Sequence, residues 1–348
     1  MAAEILCVAR WIAGPKCSVG PVVDFVNNPR LETFRTDWPG NPREGGRFLG
    51  YRGQLDLGWR KVMRYMTSGN PQSAEKGADD YRPPEVTDDI HRPGDWVCWL
   101  GHASFLIQLD GVRYLTDPVW HNLGTLRRRV PAPYTPADIG RLDYVLLSHD
   151  HRDHCDARTL RELSGALDFT VLAPLGLHDV IRGYLRREQP VQEAGWYQRF
   201  DTPAEHPRVS LMPTQHWCRR YLTDTNRRLW GSFVLEGHER RLWFGGDSGY
   251  SPHFAEVAEY FPEVDLALVG IGAYKPAWFM QEAHTSPEQA FRGFADTRAK
   301  RLFPMHFGTY DLSQEPAGEP WRLLKAFAKT AGRAGDVVAP VVGRVVSV

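Results

Sequence analysis

Residues 144–154 read Tyr-Val-Leu-Leu-Ser-His-Asp-His-Arg-Asp-His. A short apolar run ends abruptly in a cluster of imidazoles and carboxylates. An apolar run of this length suits a buried strand, and strand ends are where a rigid sheet presents functional loops. His149 and His151, two residues apart, point together from an extended loop. Asp153 and His154, one turn further on, serve a second position nearby. A solvated polar loop accounts for one or two histidines, but three histidines and an aspartate in HxHxDH order call for more.

Three other strand ends repeat the pattern. Leu211-Met-Pro-Thr-Gln ends in His216, Leu242-Trp-Phe-Gly-Gly ends in Asp247, and Arg301-Leu-Phe-Pro-Met ends in His306. Five histidines and two aspartates then share one topological place. Seven such ligands are too many for one tetrahedral zinc and suit two metals. His149, His151 and His216 are expected to hold the first ion. Asp153, His154 and His306 would hold the second, with Asp247 bridging. The donor set favours two zinc ions per chain, and iron or manganese fits the same residues. Two such ions about 3.5–4 Å apart activate water at neutral pH and clamp a phosphorane-like or tetrahedral transition state. The expected chemistry is hydrolysis.

The surrounding pattern is α/β. Trp96–Leu100, Ser104–Leu109 and Val112–Thr116 read as three short strands, with an Asp110-Gly111 hairpin signal between the last two. Further strands are expected at Tyr144–Leu147, Thr170–Ala173, Arg208–Met212, Arg241–Phe244, Leu266–Val269 and Arg301–Phe303. Helices alternate with them: Ala157–Leu163 capped by Asp156, Gly176–Tyr184, Pro252 to about Tyr260, a capping-box helix from Ser286 to about Phe294, and Pro320–Ala331. This order implies mixed sheets covered by helices. Residues 1–92 are rich in Pro, Gly and Arg and read as an N-terminal extension packed on a core of residues 93–348. Within the extension, Arg60–Met66 suits a short helix and Ser68–Pro84 a loop or linker.

HxHxDH followed by downstream His, Asp and His resembles the metallo-β-lactamase superfamily, over most of Trp96 to His306. The flanks carry a closer resemblance. Trp99-Leu-Gly-His102, Leu115-Thr-Asp-Pro118, Gln215-His-Trp217, Gly246-Asp-Ser-Gly-Tyr250, Gly272-Ala-Tyr-Lys-Pro276, Trp278-Phe-Met280 and Met305-His-Phe-Gly-Thr309 look like the N-acyl-phosphatidylethanolamine phospholipase D family and its bacterial members. The Phe34–Phe48 stretch resembles that family's N-terminal segment. The resemblance implies a four-layer αββα sandwich with a dinuclear site at one edge of the two sheets. It implies hydrolysis of a glycerophospholipid phosphodiester to phosphatidic acid and an N-acylethanolamine. The seven ligands match the family's metal positions one by one. The resemblance adds His284, which would hydrogen-bond a phosphoryl oxygen or assist proton transfer beside Asp247 and Asp153. This chain has Ala283 where the mammalian enzyme has Gln. Mammalian members associate with membranes as dimers, which implies peripheral membrane contact and a homodimer.

A lactonase or other acyl hydrolase is the rival of the same fold, because the same chemistry attacks a carbonyl carbon. A non-catalytic metal-binding scaffold is disfavoured by the full ligand set. Of the other histidines, His102 reads as structural or as support for a ligand, and His121, His178, His206, His238 and His253 as surface or packing residues. Asp117 reads as a support for a metal-bound histidine.

With 42 basic and 42 acidic residues among 348, the net charge is zero, which argues against a nucleic-acid partner. Arginine doublets at Arg127–Arg129, Arg186-Arg187, Arg227-Arg228 and Arg240-Arg241 read mostly as solvated faces, and Arg219-Arg220 as able to meet an anionic phosphate or headgroup. Trp120, Trp217 and Trp278 suit the core, an acyl groove or a lipid interface. Five scattered cysteines (Cys7, Cys17, Cys98, Cys155, Cys218) form no disulfide framework. Cys155 and Cys218 neighbour the ligand motifs, where a nearby cation lowers a thiol pKa. Met1–Gly20 lacks the basic-then-apolar order of a signal peptide, so the expected location is cytoplasmic, or peripheral at a membrane.

Overall fold

The computed structural model describes residues 23–348 apart from 54, 56 and 57. Met1–Gly20, with Cys7 and Cys17, lies outside the described residues. Two seven-stranded sheets make the body. The first runs, edge to edge, through Val191–Ala194, Thr170–Pro174, Tyr144–Leu146, Val112–Thr116, Ser104–Leu109, Trp96–Gly101 and Val345–Ser347. Its first four strands are parallel and the rest antiparallel. The second runs through Arg301–Met305, Leu266–Gly270, Arg241–Phe244, Ser232–Glu236, Arg208–Met212, Gln198–Arg199 and Glu32–Thr33, with only the first three parallel. A small three-stranded sheet, Val23–Val26, Asn41–Glu44 and Arg47–Phe48, belongs to the N-terminal region.

Period-two alternation sorts the first sheet's side chains into two cores. Val97, Trp99, Phe105, Ile107 and Leu146 join the large cluster shared with the second sheet. Trp96, Cys98, Leu100, Leu106 and Val145 face the other way and pack with Leu160, Leu163 and Ile181 of the helices Ala157–Ala166 and His178–Arg182. Helices His253–Tyr260, Pro287–Asp296 and Glu319–Thr330 contribute Phe254, Val257, Phe294 and Leu324 on the side of the second sheet. Both sheets are therefore buried and helix-covered, the expected four-layer αββα sandwich.

The expected strands form within two residues of their expected ends. Asp156 caps its helix by accepting from Thr159 N at 2.9 Å, and Ser286 with Gln289 closes a capping box. Three expectations need correction. Gly176–Tyr184 is helical only over His178–Arg182, because Gly176 takes a left-handed φ of +88° and Gly183 ends the helix. Pro252 stands just before its helix, as its N-cap. Ser68–Pro84 contains the helix Ser73–Ala78, held to the body where Lys76 pairs with Asp311. Upstream, Glu32–Thr33 adds the last strand to the second sheet, and Phe34 sits edge-on to Tyr197, Tyr260 and Phe261.

Candidate metal centre

Strands end where their apolar runs end, and four of those ends meet. The strand Tyr144–Leu146 leads to His149, Arg208–Met212 to His216, Arg241–Phe244 to Asp247 and Arg301–Met305 to His306. Open α/β sheets place their sites at the carboxyl ends of strands for this reason. The glycines in these loops have a physical role. Gly246 takes φ +57°, and a Cβ there would stand 3.0 Å from the Gly231 carbonyl oxygen and 3.1 Å from Ser148 Cβ. His102, Asp117 and His306 take left-handed φ values of 55°, 34° and 61° without being glycine. Such conformations cost on the order of 1–2 kcal/mol each and cluster at functional sites.

Two groups of donor atoms result. In the first, His149 Nε2 lies 2.9 Å and His216 Nε2 3.3 Å from His151 Nδ1. In the second, Asp153 Oδ2 lies 3.6 Å from both His154 Nε2 and His306 Nε2. His102 joins this second group, its Nε2 3.1 Å from Asp153 Oδ2. Asp247 Oδ2 stands between the groups, 3.1 Å from His154 Nε2 and from His306 Nε2 and 3.8 Å from His216 Nε2. All seven residues expected as ligands therefore converge. His284 Nδ1 lies 3.7 Å from Asp247 Oδ2.

The outer hydrogen bonds fix which ring nitrogen faces inward. His216 Nδ1 donates to the Ala283 carbonyl at 3.0 Å, and His154 Nδ1 donates to Asp117 Oδ2 at 2.6 Å. His149 Nδ1 donates to Ser148 Oγ, which in turn donates to Asp117 Oδ2 at 2.6 Å. With a cation in place, each inward Nε2 would be a lone-pair donor, the arrangement that metal-binding imidazoles need. The sequence led us to expect Asp117 to support a histidine; the structure has it support one imidazole in each group, directly at His154 and through Ser148 at His149.

A cation fits this set on two grounds. The first is hydrogen bonding: His151 Nε2, His154 Nε2, Asp247 Oδ1 and both ring nitrogens of His306 are buried without an aligned partner, which is costly for polar groups. The second is charge. Burial opposes the charge on His306, but Asp247 and Asp153 push it up to about 9. Burial likewise opposes charge on His154, and Asp247, Asp153 and Asp117 drive it well above the usual histidine range. His149 goes the opposite way, well down, through burial and its imidazole neighbours. Burial also drives His216 well down, against Asp247. The carboxylates call for positive charge at the second group, and protons on His154 and His306 stand in for it.

Other expectations resolve at this site. His102 was read as a support; its imidazole also belongs to the second donor group, and the Trp99-Leu-Gly-His motif was its signal. Arg228 is not on a solvated face: it is buried and paired with Asp150 and Asp224, which anchors the His149–His151 loop. Arg128 is not solvated either, since it donates to the Leu100, Val119 and Val130 carbonyls. Arg220 is held by the Asp150 and Cys155 carbonyls, whereas Arg219 lies over Trp217. Burial pushes the Cys155 thiol up to about 12 despite Arg220, so it is no lowered thiol. Burial likewise drives the Cys218 thiol well above its usual range. Trp120 is a core residue, and Trp217 faces the site.

A cleft of about 740 Å³ opens over His151, Asp153, Asp247, His284 and His306. A chamber of about 210 Å³ adjoins it past Trp217, Met280 and His284, and is lined further by Leu55, Tyr65 and Phe279.

Residues 112–307 match the family model of the beta-lactamase superfamily domain. The chain belongs to that superfamily. Within the superfamily, the chain is 31% identical to the N-acyl-phosphatidylethanolamine-hydrolyzing phospholipase D 1 of Caenorhabditis elegans over 78% of this chain and 81% of that protein. It is 30% identical to a mitochondrial protein of the same description from Saccharomyces cerevisiae, over 71% of this chain but only 54% of the relative. Among solved structures, the isothiocyanate hydrolase from Delia radicum gut bacteria superposes with a TM-score of 0.58 at 16% identity, over 73% of this chain and 98% of that one. That likeness shows the shared metallo-β-lactamase fold. The superfamily and the His/Asp cluster together make this chain a metal-dependent hydrolase.

Proposed function

We propose that the chain is a dinuclear, zinc-dependent phosphodiesterase that hydrolyses N-acyl-phosphatidylethanolamine-type glycerophospholipids to phosphatidic acid and an N-acylethanolamine. The observation that carries this reading is the pair of donor groups sharing Asp247 beneath a cleft with an adjoining apolar chamber. The description of the worm and yeast relatives supports the substrate class. His149, His151 and His216 would hold one ion, and Asp153, His154 and His306 the other, with Asp247 shared. When bound, the ions supply Lewis acidity and make water nucleophilic at neutral pH.

The protein's own residues do the rest. Asp117, directly and through Ser148, keeps His154 and His149 in the tautomer that offers Nε2. Asp247 and Asp153 set the charge of the centre. Burial, against Asp247, holds His284 down to about 4, so it is neutral near pH 7; beside Asp247 at the cleft wall it would hydrogen-bond a phosphoryl oxygen, or relay to the departing alkoxide a proton it takes from the attacking water. Trp217, Met280 and Phe279 shield an acyl chain from water.

The test is turnover by purified protein of N-acyl-phosphatidylethanolamine, bis-aryl phosphodiesters and a panel of lactones, with metal analysis in parallel. Release of phosphatidic acid and two ions per chain are expected, with His151→Ala losing turnover and one of the two ions. Robust turnover of lactones alone sinks the phosphodiesterase reading.

A further inference from the structure

His216 and Asp247 follow the strands Arg208–Met212 and Arg241–Phe244, which are not neighbours: Ser232–Glu236 runs between them, antiparallel to both. Adjacent strands stand about 4.8 Å apart, so these two stand about 9–10 Å apart. No ladder bond fixes the end of one against the end of the other. Yet His216 Nε2 lies 3.8 Å from Asp247 Oδ2. Past the Ser232 end of the middle strand the two loops lean together and bond directly. Gly249 N–H donates to the Gln215 carbonyl at 2.8 Å, and Gln215 N–H donates to Ser248 Oγ at 2.9 Å. Gln215 adjoins one ligand and Ser248 the other, so these bonds set the register of His216 against Asp247.

Ser248 is the hub of this contact. A hydroxyl carries one proton and two lone pairs, and here all three are used. Oγ accepts from Gln215 N–H, lies 3.2 Å from His253 Nε2 and donates to the Gly249 carbonyl at 2.8 Å. His253 Nδ1 lies 2.5 Å from Ser251 Oγ. With Ser251 O–H donating to Nδ1, Nε2 carries the imidazole proton and donates to Ser248, so each of these atoms has a partner. Ser248 is 9% exposed and His253 is fully buried. The N-terminal region closes over them: Tyr51 meets His253 edge-on at 6.0 Å, and Arg52 N–H donates to Gln215 Oε1 at 3.2 Å. Buried polar groups are costly unless paired, so a position that only needed filling would be apolar. Gly249 extends the hub. A Cβ there would stand 2.4 Å from the Glu282 carbonyl oxygen, so glycine lets residues 281–284 lie this close. That segment carries His284 and the Ala283 carbonyl to which His216 Nδ1 donates.

We propose that Ser248 is a positioning residue whose hydroxyl registers His216 against Asp247 and so sets how tightly the first donor group binds its ion. Asp247 has a second hold in His154 and His306, each at 3.1 Å, so losing the hydroxyl falls on His216 and spares the second group. The proposal rests on the two-ion reading of the centre and is independent of which ester bond is cut.

The experiment titrates the metal-stripped full chain with zinc in competition with a chromophoric chelator, comparing wild type, Ser248→Ala and Ser248→Thr. Ser248→Ala should bind the first ion about tenfold more weakly and the second within about threefold of wild type. Its turnover of whichever ester the wild type cuts should recover as zinc is raised. Ser248→Thr keeps the hydroxyl and should restore the first ion's affinity. A cobalt titration should show the same order in the visible absorption of the bound ions. Equal affinities in wild type and Ser248→Ala overturn the proposal. So does Ser248→Thr as weak as Ser248→Ala, which would make shape rather than the hydroxyl the cause. Equal weakening of both ions, together with a lower melting temperature of the metal-free protein, would show a general loosening and overturns it too. A wild type that binds fewer than two ions removes the two-ion reading, and the proposal with it.

Discussion

The two donor groups of the centre both rely on imidazoles, yet in opposite electrostatic settings. The first is three imidazoles, His149, His151 and His216, with burial and mutual repulsion holding them neutral. The second sets His102, His154 and His306 against Asp153 and Asp247, and those carboxylates pull protons onto His154 and His306. One group offers lone pairs ready for a cation, while the other holds protons that a cation must displace. Imidazoles in the two groups are therefore not equivalent: the carboxylate neighbours decide what binding costs.

The largest expected effect tests what the groups share. Asp247→Ala should lower kcat/KM on the order of a thousandfold and bring bound metal below one ion per chain by elemental analysis. Retention of two ions would break the notion of a shared carboxylate. Next come the paired variants His151→Ala and His306→Ala. Each should lose one ion and keep the other, and loss of both ions from either variant would show that the groups act as one. Asp117→Asn supports both groups, so it should weaken both ions by roughly 10–100-fold; an effect confined to one ion would place its weight on one imidazole alone.

A pH series sharpens the contrast further. Between pH 8 and pH 6, below the raised value of about 9 for His306, the second ion's affinity should fall by about tenfold per pH unit for each proton displaced. The first should change far less over that interval. Isothermal titration in buffers of different ionisation enthalpy counts the protons released.

The smallest effect lies outside the centre. Burial pushes His253, which is bonded to Ser248 and Ser251, down to about 3. It stays neutral when folded and takes a proton when unfolded below about pH 6.5. Stability therefore falls as pH drops from there, by about 1.4 kcal/mol per unit for this one residue. Denaturant unfolding of the metal-loaded His253→Gln variant at pH 7 and pH 5 should show a shallower loss than wild type.

Much of this was legible from strand ends. An apolar run that stops at a histidine or aspartate announces both a buried strand and the position of its last side chain, which is why all seven convergent donors could be named in advance. His284 was reached by resemblance alone, because Ala283-His284 sits on an irregular stretch with no periodicity to fix it. The roles of Arg128 and Arg228 were illegible for a different reason. An arginine reads as solvent-facing unless its partners are known, and each of these has one far off in the chain: Asp150 lies 78 residues from Arg228, and Leu100 lies 28 from Arg128. The Ser73–Ala78 helix was missed because its six polar and small residues show no apolar face and its hold on Asp311 is long-range.

The donors come from both sheets. His149, His151, Asp153 and His154 follow a strand of the first, whereas His216, Asp247 and His306 follow strands of the second. Any cation seated among them is a rivet across the seam of the sandwich, contributing to cohesion as well as to chemistry. Stripping it with a chelator should loosen the two halves from each other before either one melts.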